Sequence, residues 1–238
     1  SIDKAVFNKK TWHFAYILTD YLRMKSITVP YIPHLNDTTA EVAADFLEEE
    51  GKKGNIEQLN WGNDYPYKPI TFFGIGRSRS HLFIKYSVKG NVLRAVNHED
   101  QTPVWEDSCV EFFCAVPDGS GYMNFEFNCI GSCYAALYDQ PRQGKLRSLN
   151  EMRRILRFPS LEPIPFNEME GHFEWELTVG IPFDLLGLDG EHLPAGIRAN
   201  FYKCADATSL KHYLSWNPIH TEFPDFHRPD FFGELFFD

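Results

Sequence analysis

Residues 108–129 read SCVEFFCAVPDGSGYMNFEFNC. Two apolar runs flank Pro117-Asp118-Gly119-Ser120-Gly121, residue types that tolerate tight chain reversals. Alternation decides what the runs are. Val110, Phe112 and Cys114 fall on one side of the first, and Phe125, Phe127 and Cys129 on one side of the second. An antiparallel hairpin with Glu111 opposite Asn128, Phe113 opposite Glu126 and Ala115 opposite Asn124 makes that side wholly apolar. A slip by one residue would bury carboxylates against phenyl rings, so the pattern selects against it. The opposite face then carries Glu111, Asn124, Glu126 and Asn128 beside Phe113 and Tyr122. Carboxylates and amides at fixed spacing on a rigid sheet suit the hydroxyls of a sugar ring. An ordinary solvated sheet face reads the same way.

Similar strand signals recur outward from the hairpin. In 81–88, Leu82, Ile84, Tyr86 and Val88 alternate with Phe83, Lys85 and Ser87. Segments 132–138, 172–179, 197–204 and 231–237 complete the set. Many short strands separated by Gly and Pro turns predict an all-β fold, a sandwich or barrel, and we read it as a β-sandwich with one or two short peripheral helices. One helix is expected early. Thr38 and Glu41 form a capping-box pattern, Val42, Ala43, Phe46 and Leu47 share a face, and Gly51 ends it. A polar linker is expected over 52–63, and a helical turn over 183–186 after Pro182. Segment 146–156 reads equally as loop or helix. No internal repeat or low-complexity tract interrupts the chain.

Composition narrows the partners. Of 238 residues, 43% are apolar, enough for a sizeable core, and 16% are aromatic, which favours strands and recognition platforms. The net charge of −10 argues against nucleic acid and against docking on an anionic membrane, because no basic stripe is present to meet phosphates. No stretch reaches the roughly 20 apolar residues of a membrane span. Cys109, Cys114, Cys129, Cys133 and Cys204 make an odd count without a C-x-x-C pair, and are read as reduced and buried. Met24 opens MKSITVPYIP, which looks like a natural start. Residues 1–23 are therefore read as an N-terminal extension before one domain over 24–238, with a cytoplasmic location. A signal peptide trimmed ahead of residue 1 would imply a periplasmic or secreted protein.

Taken together, VWEDSCVEFFCAVPDGSGYMNFEFNCIG (104–131), WELTVGIPFDLLG (175–187), RANFYKC (198–204), SWNP (215–218) and FHRPDFFGELFF (226–237) resemble the carbohydrate-binding module family 9-like group. The resemblance implies a β-sandwich of jelly-roll or immunoglobulin-like topology that binds a sugar without cleaving it. It also implies a slot between two facing aromatic rings. The ring before the central strand matches Trp105, the Glu six positions on matches Glu111, and the late ring matches Trp216. The nearest counterparts of the family's arginine are Arg94 and Arg198. Some members of the group bind calcium, for which Glu106 and Asp107 would be the ligands; no other cofactor is implied.

The full ligand-binding expectation is thus Trp105, Glu111, Glu126, Asn128, Trp216, Arg94 and His98, the last beside Glu99 and Asp100 on the rim before the central strand. Trp61 reads as a packing anchor and Trp175 as core. His212, His220 and His227 lack metal-ligand spacing. Two other function classes stay open. Glu111 and Glu126 on neighbouring strands have the makings of a glycosidase pair, and an interaction protein could keep this scaffold without a sugar site.

Overall fold

The computed structural model describes residues 24–140 and 143–238; the extension expected over 1–23 lies outside them. Among the described residues the strands form two sheets. The larger runs in the order β1 (Ser26–Val29), β13 (Gly233–Phe237), β11 (Gly196–Cys204), β5 (Cys109–Ala115), β6 (Tyr122–Asn128), β7 (Cys133–Gln140) and β8 (Gln143–Leu146), with β12 (Tyr213–Ser215) also paired to β11. The smaller runs β2 (Lys52–Asn55), β3 (Ile70–Arg77), β4 (His81–Ala95), β10 (Phe166–Pro182) and β9 (Leu156–Pro159).

The two sheets pack face to face as a β-sandwich because each presents an apolar inner face. Leu82, Ile84, Tyr86 and Val88 of β4 and Trp175, Leu177, Val179 and Ile181 of β10 point inward. They meet Val110, Phe112, Phe125, Phe127 and Phe201 of the larger sheet. Phe73 of β3 stacks on Phe201 with ring centroids 3.9 Å apart, a direct contact between the sheets. Against the outer face of the smaller sheet lies α1 (Ala40–Glu49), which buries Ala43 and Leu47 over Phe83.

Several sequence expectations shift. The cap of α1 is Thr39, whose hydroxyl accepts from the Val42 N–H at 3.3 Å, not Thr38. The expected polar linker contains β2, an edge strand whose side chains are mostly exposed and whose backbone pairs with β3. Segment 146–156 resolves into α2 (Leu149–Met152), capped reciprocally by Ser148 and Glu151, and the start of β9. The central hairpin keeps the expected faces but not the expected pairs. Glu111 lies opposite Glu126, Phe113 opposite Asn124 and Ala115 opposite Tyr122, two residues away from the register read from pattern. Alternation fixes only parity. The count is set by the turn, where the Val116 N–H bonds the Gly121 carbonyl at 2.9 Å and leaves a four-residue loop.

Candidate functional site

The outer face of the larger sheet is covered over its central strands β5, β6 and β11. Phe113, Tyr122 and Tyr202 lie on it, and Trp61, Ile219, Phe226 and Phe232 from the flanking segments cover them. The cover is incomplete and leaves a cavity of about 310 Å³, near the lower end of ligand-site volumes.

Strand alternation builds its floor. Glu111 and Phe113 of β5, Glu126 of β6, Tyr134 and Tyr138 of β7 and Cys204 of β11 all point outward into it. Tyr213 of β12, Asp206 and residues 224–227 form the remaining wall. Trp105 sits in a one-turn 3-10 helix, Val104–Glu106, and lines the cavity half-buried. Its carbonyl accepts from the Asp206 N–H at 3.0 Å, and its ring meets that of Tyr134 edge-on with centroids 5.3 Å apart. The Tyr122 hydroxyl is 2.8 Å from His227 Nδ1, which ties the far wall to the sheet.

The two carboxyls are the unusual groups. Glu111 and Glu126 are directly opposed and only 2% and 4% exposed. Glu126 Oε1 accepts from Asn124 Nδ2 at 2.7 Å, and Glu111 Oε1 accepts from the Cys204 thiol at 3.0 Å. Oε2 of each has no hydrogen-bond partner among the protein atoms. Burial, with the nearby Cys204 and Glu126 adding to it, holds Glu111 well above the ordinary carboxylate range. Burial likewise pushes Glu126 up to about 8, against the hydrogen bond from Asn124, and Asp206 up to about 6. A buried polar atom left unsatisfied costs on the order of 1–3 kcal/mol, so a bound hydrogen-bonding group would be strongly rewarded here.

Of the seven residues expected from sequence, the structure gathers three, Trp105, Glu111 and Glu126, around this cavity. Trp216 is elsewhere. On leaving β12 the chain turns Leu214 and Trp216 inward, and Trp216, 4% exposed, packs edge-on against Phe73 and Phe201 in the core. The slot between Trp105 and Trp216 therefore does not exist. Asn128 is spent on the fold: its Nδ2 donates to the Asn97 carbonyl at 2.6 Å and Asp107 Oδ2 at 3.0 Å, and its Oδ1 accepts from the Ser132 N–H at 3.0 Å. Arg94 pairs with the fully buried Asp107. His98 is exposed, with Nδ1 3.4 Å from the Val96 carbonyl, and does not line the cavity.

Neither the calcium expectation nor a thiolate metal centre gains support from geometry. Both oxygens of Asp107 are occupied by donors from Arg94, Val96, Asn97 and Asn128. Cys109, Glu111 and Cys204 bring ligand-type atoms within 4.8 Å of one another. There the Cys204 thiol donates to Glu111 Oε1 at 3.0 Å, and burial raises both thiols, Cys109 to about 12.

This arrangement can be compared with known proteins. The profile of carbohydrate-binding family 9 matches residues 41–237. The chain belongs to carbohydrate-binding family 9. A candidate carbohydrate-binding protein from Bacteroides uniformis is 33% identical, with a TM-score of 0.83 over 90% of this chain and all of its own. Family 9 modules from Caldicellulosiruptor kristjanssonii, solved with glucose and with cellotriose, share the fold at 13% and 12% identity. Their TM-scores are 0.57 and 0.56 over 90% of this chain and 96% and 93% of theirs. No curated protein matches the chain. No helix among the described residues is long and apolar enough to cross a membrane.

This family 9 chain builds its cavity partly from residues that sequence reading missed. Tyr134 and Tyr138 carried a usable signal, since they alternate with Cys133, Ala135 and Leu137 and so face the same way as Glu126. Asp206, Pro224 and Asp225 carried none, because they lie in irregular segments without a period.

Proposed function

We propose that this protein binds carbohydrate without cleaving it, seating a sugar ring in the cavity beside Trp105. The observation that carries this reading is the unpartnered Oε2 of both Glu111 and Glu126 at the floor of an aromatic-walled cavity within a family 9 fold. Ring C–H faces would stack on Trp105, Tyr134 and Tyr138, while hydroxyls would exchange hydrogen bonds with the two carboxyls. Binding is favoured over hydrolysis because a glycosidase pair needs environments that push its two carboxyls apart, one ionised and one protonated. Here burial raises both.

Titration calorimetry against mono- and oligosaccharides tests the proposal. We expect saturable heat with at least one sugar, and an affinity at least tenfold weaker for Trp105→Ala. No heat with any sugar would overturn it.

A further inference from the structure

We propose that the cavity selects a sugar bearing a free, protonated amine over the corresponding neutral sugar. The inference rests on the sugar-binding reading and names the ligand class of that same site. Its first support is charge. Glu111, Glu126, Asp206 and Asp225 all line the cavity, and no Lys or Arg does, leaving His227 as the one basic side chain there. Arg94, the nearest match to the family's arginine, is committed to Asp107 outside the cavity.

Geometry is the second support. Directly opposed residues on antiparallel strands have Cβ atoms about 4.5–5.5 Å apart, so Glu111 and Glu126 are close neighbours on the cavity floor. Each keeps one oxygen without a protein donor. A hydroxyl can donate once, to one of them. An ammonium group donates three times, so it can satisfy both oxygens once the carboxyls release the protons that burial makes them hold, and the resulting charged hydrogen bonds are the stronger ones. Glu126 holds its proton tightly because it is buried, with the charge of Asp206 adding to the effect, so a cation seated here takes the place of that proton. Aromatic faces nearby, those of Trp105, Tyr134 and Tyr138, favour a cation as well.

The test compares hexoses that differ only at C2. Glucose, galactose and mannose are titrated beside glucosamine, galactosamine and mannosamine, and beside the N-acetylated forms, near pH 6.5, where an amine of this kind is cationic. At least one amino sugar is expected to bind at least tenfold tighter than both its neutral and its N-acetylated partner. Glu126→Gln, which keeps the shape and removes the group that can ionise against a cation, is expected to lower that ratio at least fivefold. Neutral hexoses binding as tightly as amino sugars would overturn the inference and leave sugar binding standing. An N-acetylated sugar that binds as tightly as the amine would also overturn it, because shape at C2 would then decide. No binding by any sugar would overturn both readings.

Discussion

Trp105 and Trp216 look alike in sequence, each a ring beside a strand, and differ in the direction the backbone gives them. Trp216 fills the core between Phe73 and Phe201. Trp216→Ala should therefore cost about 3–5 kcal/mol of stability by urea unfolding, whereas Trp105→Ala should cost far less and act on binding. Equal losses of stability would contradict this division. Glu126 gives a second prediction at the same scale. Its ordinary value is 4.5 and the fold raises it to about 8, so the folded chain holds this proton more tightly than the unfolded one. The stability it contributes is complete below about pH 4.5 and is lost as pH rises towards about 8, and Glu111 acts in the same direction. In the ligand-free protein, Tm should fall between these limits by at least about 2 °C more in wild type than in Glu126→Gln. Superimposable pH profiles would show that the fold does not pay this penalty at Glu126.

At the scale of elements, hairpin 109–128 shows what was legible in the chain and what was not. Alternation gave the faces of β5 and β6 and the inward set of β4, because each side chain's direction follows from counting residues. It did not give the register, which a two-residue shift leaves unchanged in pattern. That count lies in the turn, and in particular in Gly121. Its φ is 142°, and a Cβ there would stand 2.1 Å from the Tyr138 carbonyl oxygen of β7. Gly119, at φ 77°, would meet nothing within 4 Å. Gly121→Ala should thus cost more than about 2 kcal/mol, since conformational strain and a backbone collision add. Gly119→Ala should cost about 1–2 kcal/mol from conformation alone. Equal costs in urea would mean that β7 does not enforce the turn. The short strands β2, β8 and β12 went unread for a related reason: edge and outer positions impose little apolar pattern, so no period marks them. The parts of the cavity wall at Asp206 and Pro224–Asp225 were illegible for the same lack of period.

For the whole molecule, the question is whether the cover over the cavity opens separately from the sandwich. The cysteines can report this because they lie on both faces of one sheet. Cys114, Cys129 and Cys133 belong to the inner core, and Cys109 and Cys204 to the outer aromatic cluster under the cover. All five are free and buried, and burial pushes Cys109, Cys114 and Cys129 up to about 12. Reaction needs the thiolate, so the native protein should be inert to thiol reagents at neutral pH. The cover is tied to the sheet at several points: Trp216 is set in the inner core, and Asn217 exchanges hydrogen bonds with Asn200 of β11 at 2.8 and 3.1 Å. Opening it would drag core residues with it. In a urea series, all five thiols should therefore become reactive in one step whose midpoint coincides with the loss of tryptophan fluorescence. Two thiols reacting ahead of the other three would show that the cover opens on its own, and ligand would then reach Glu111 and Glu126 through a moving wall rather than a standing cavity.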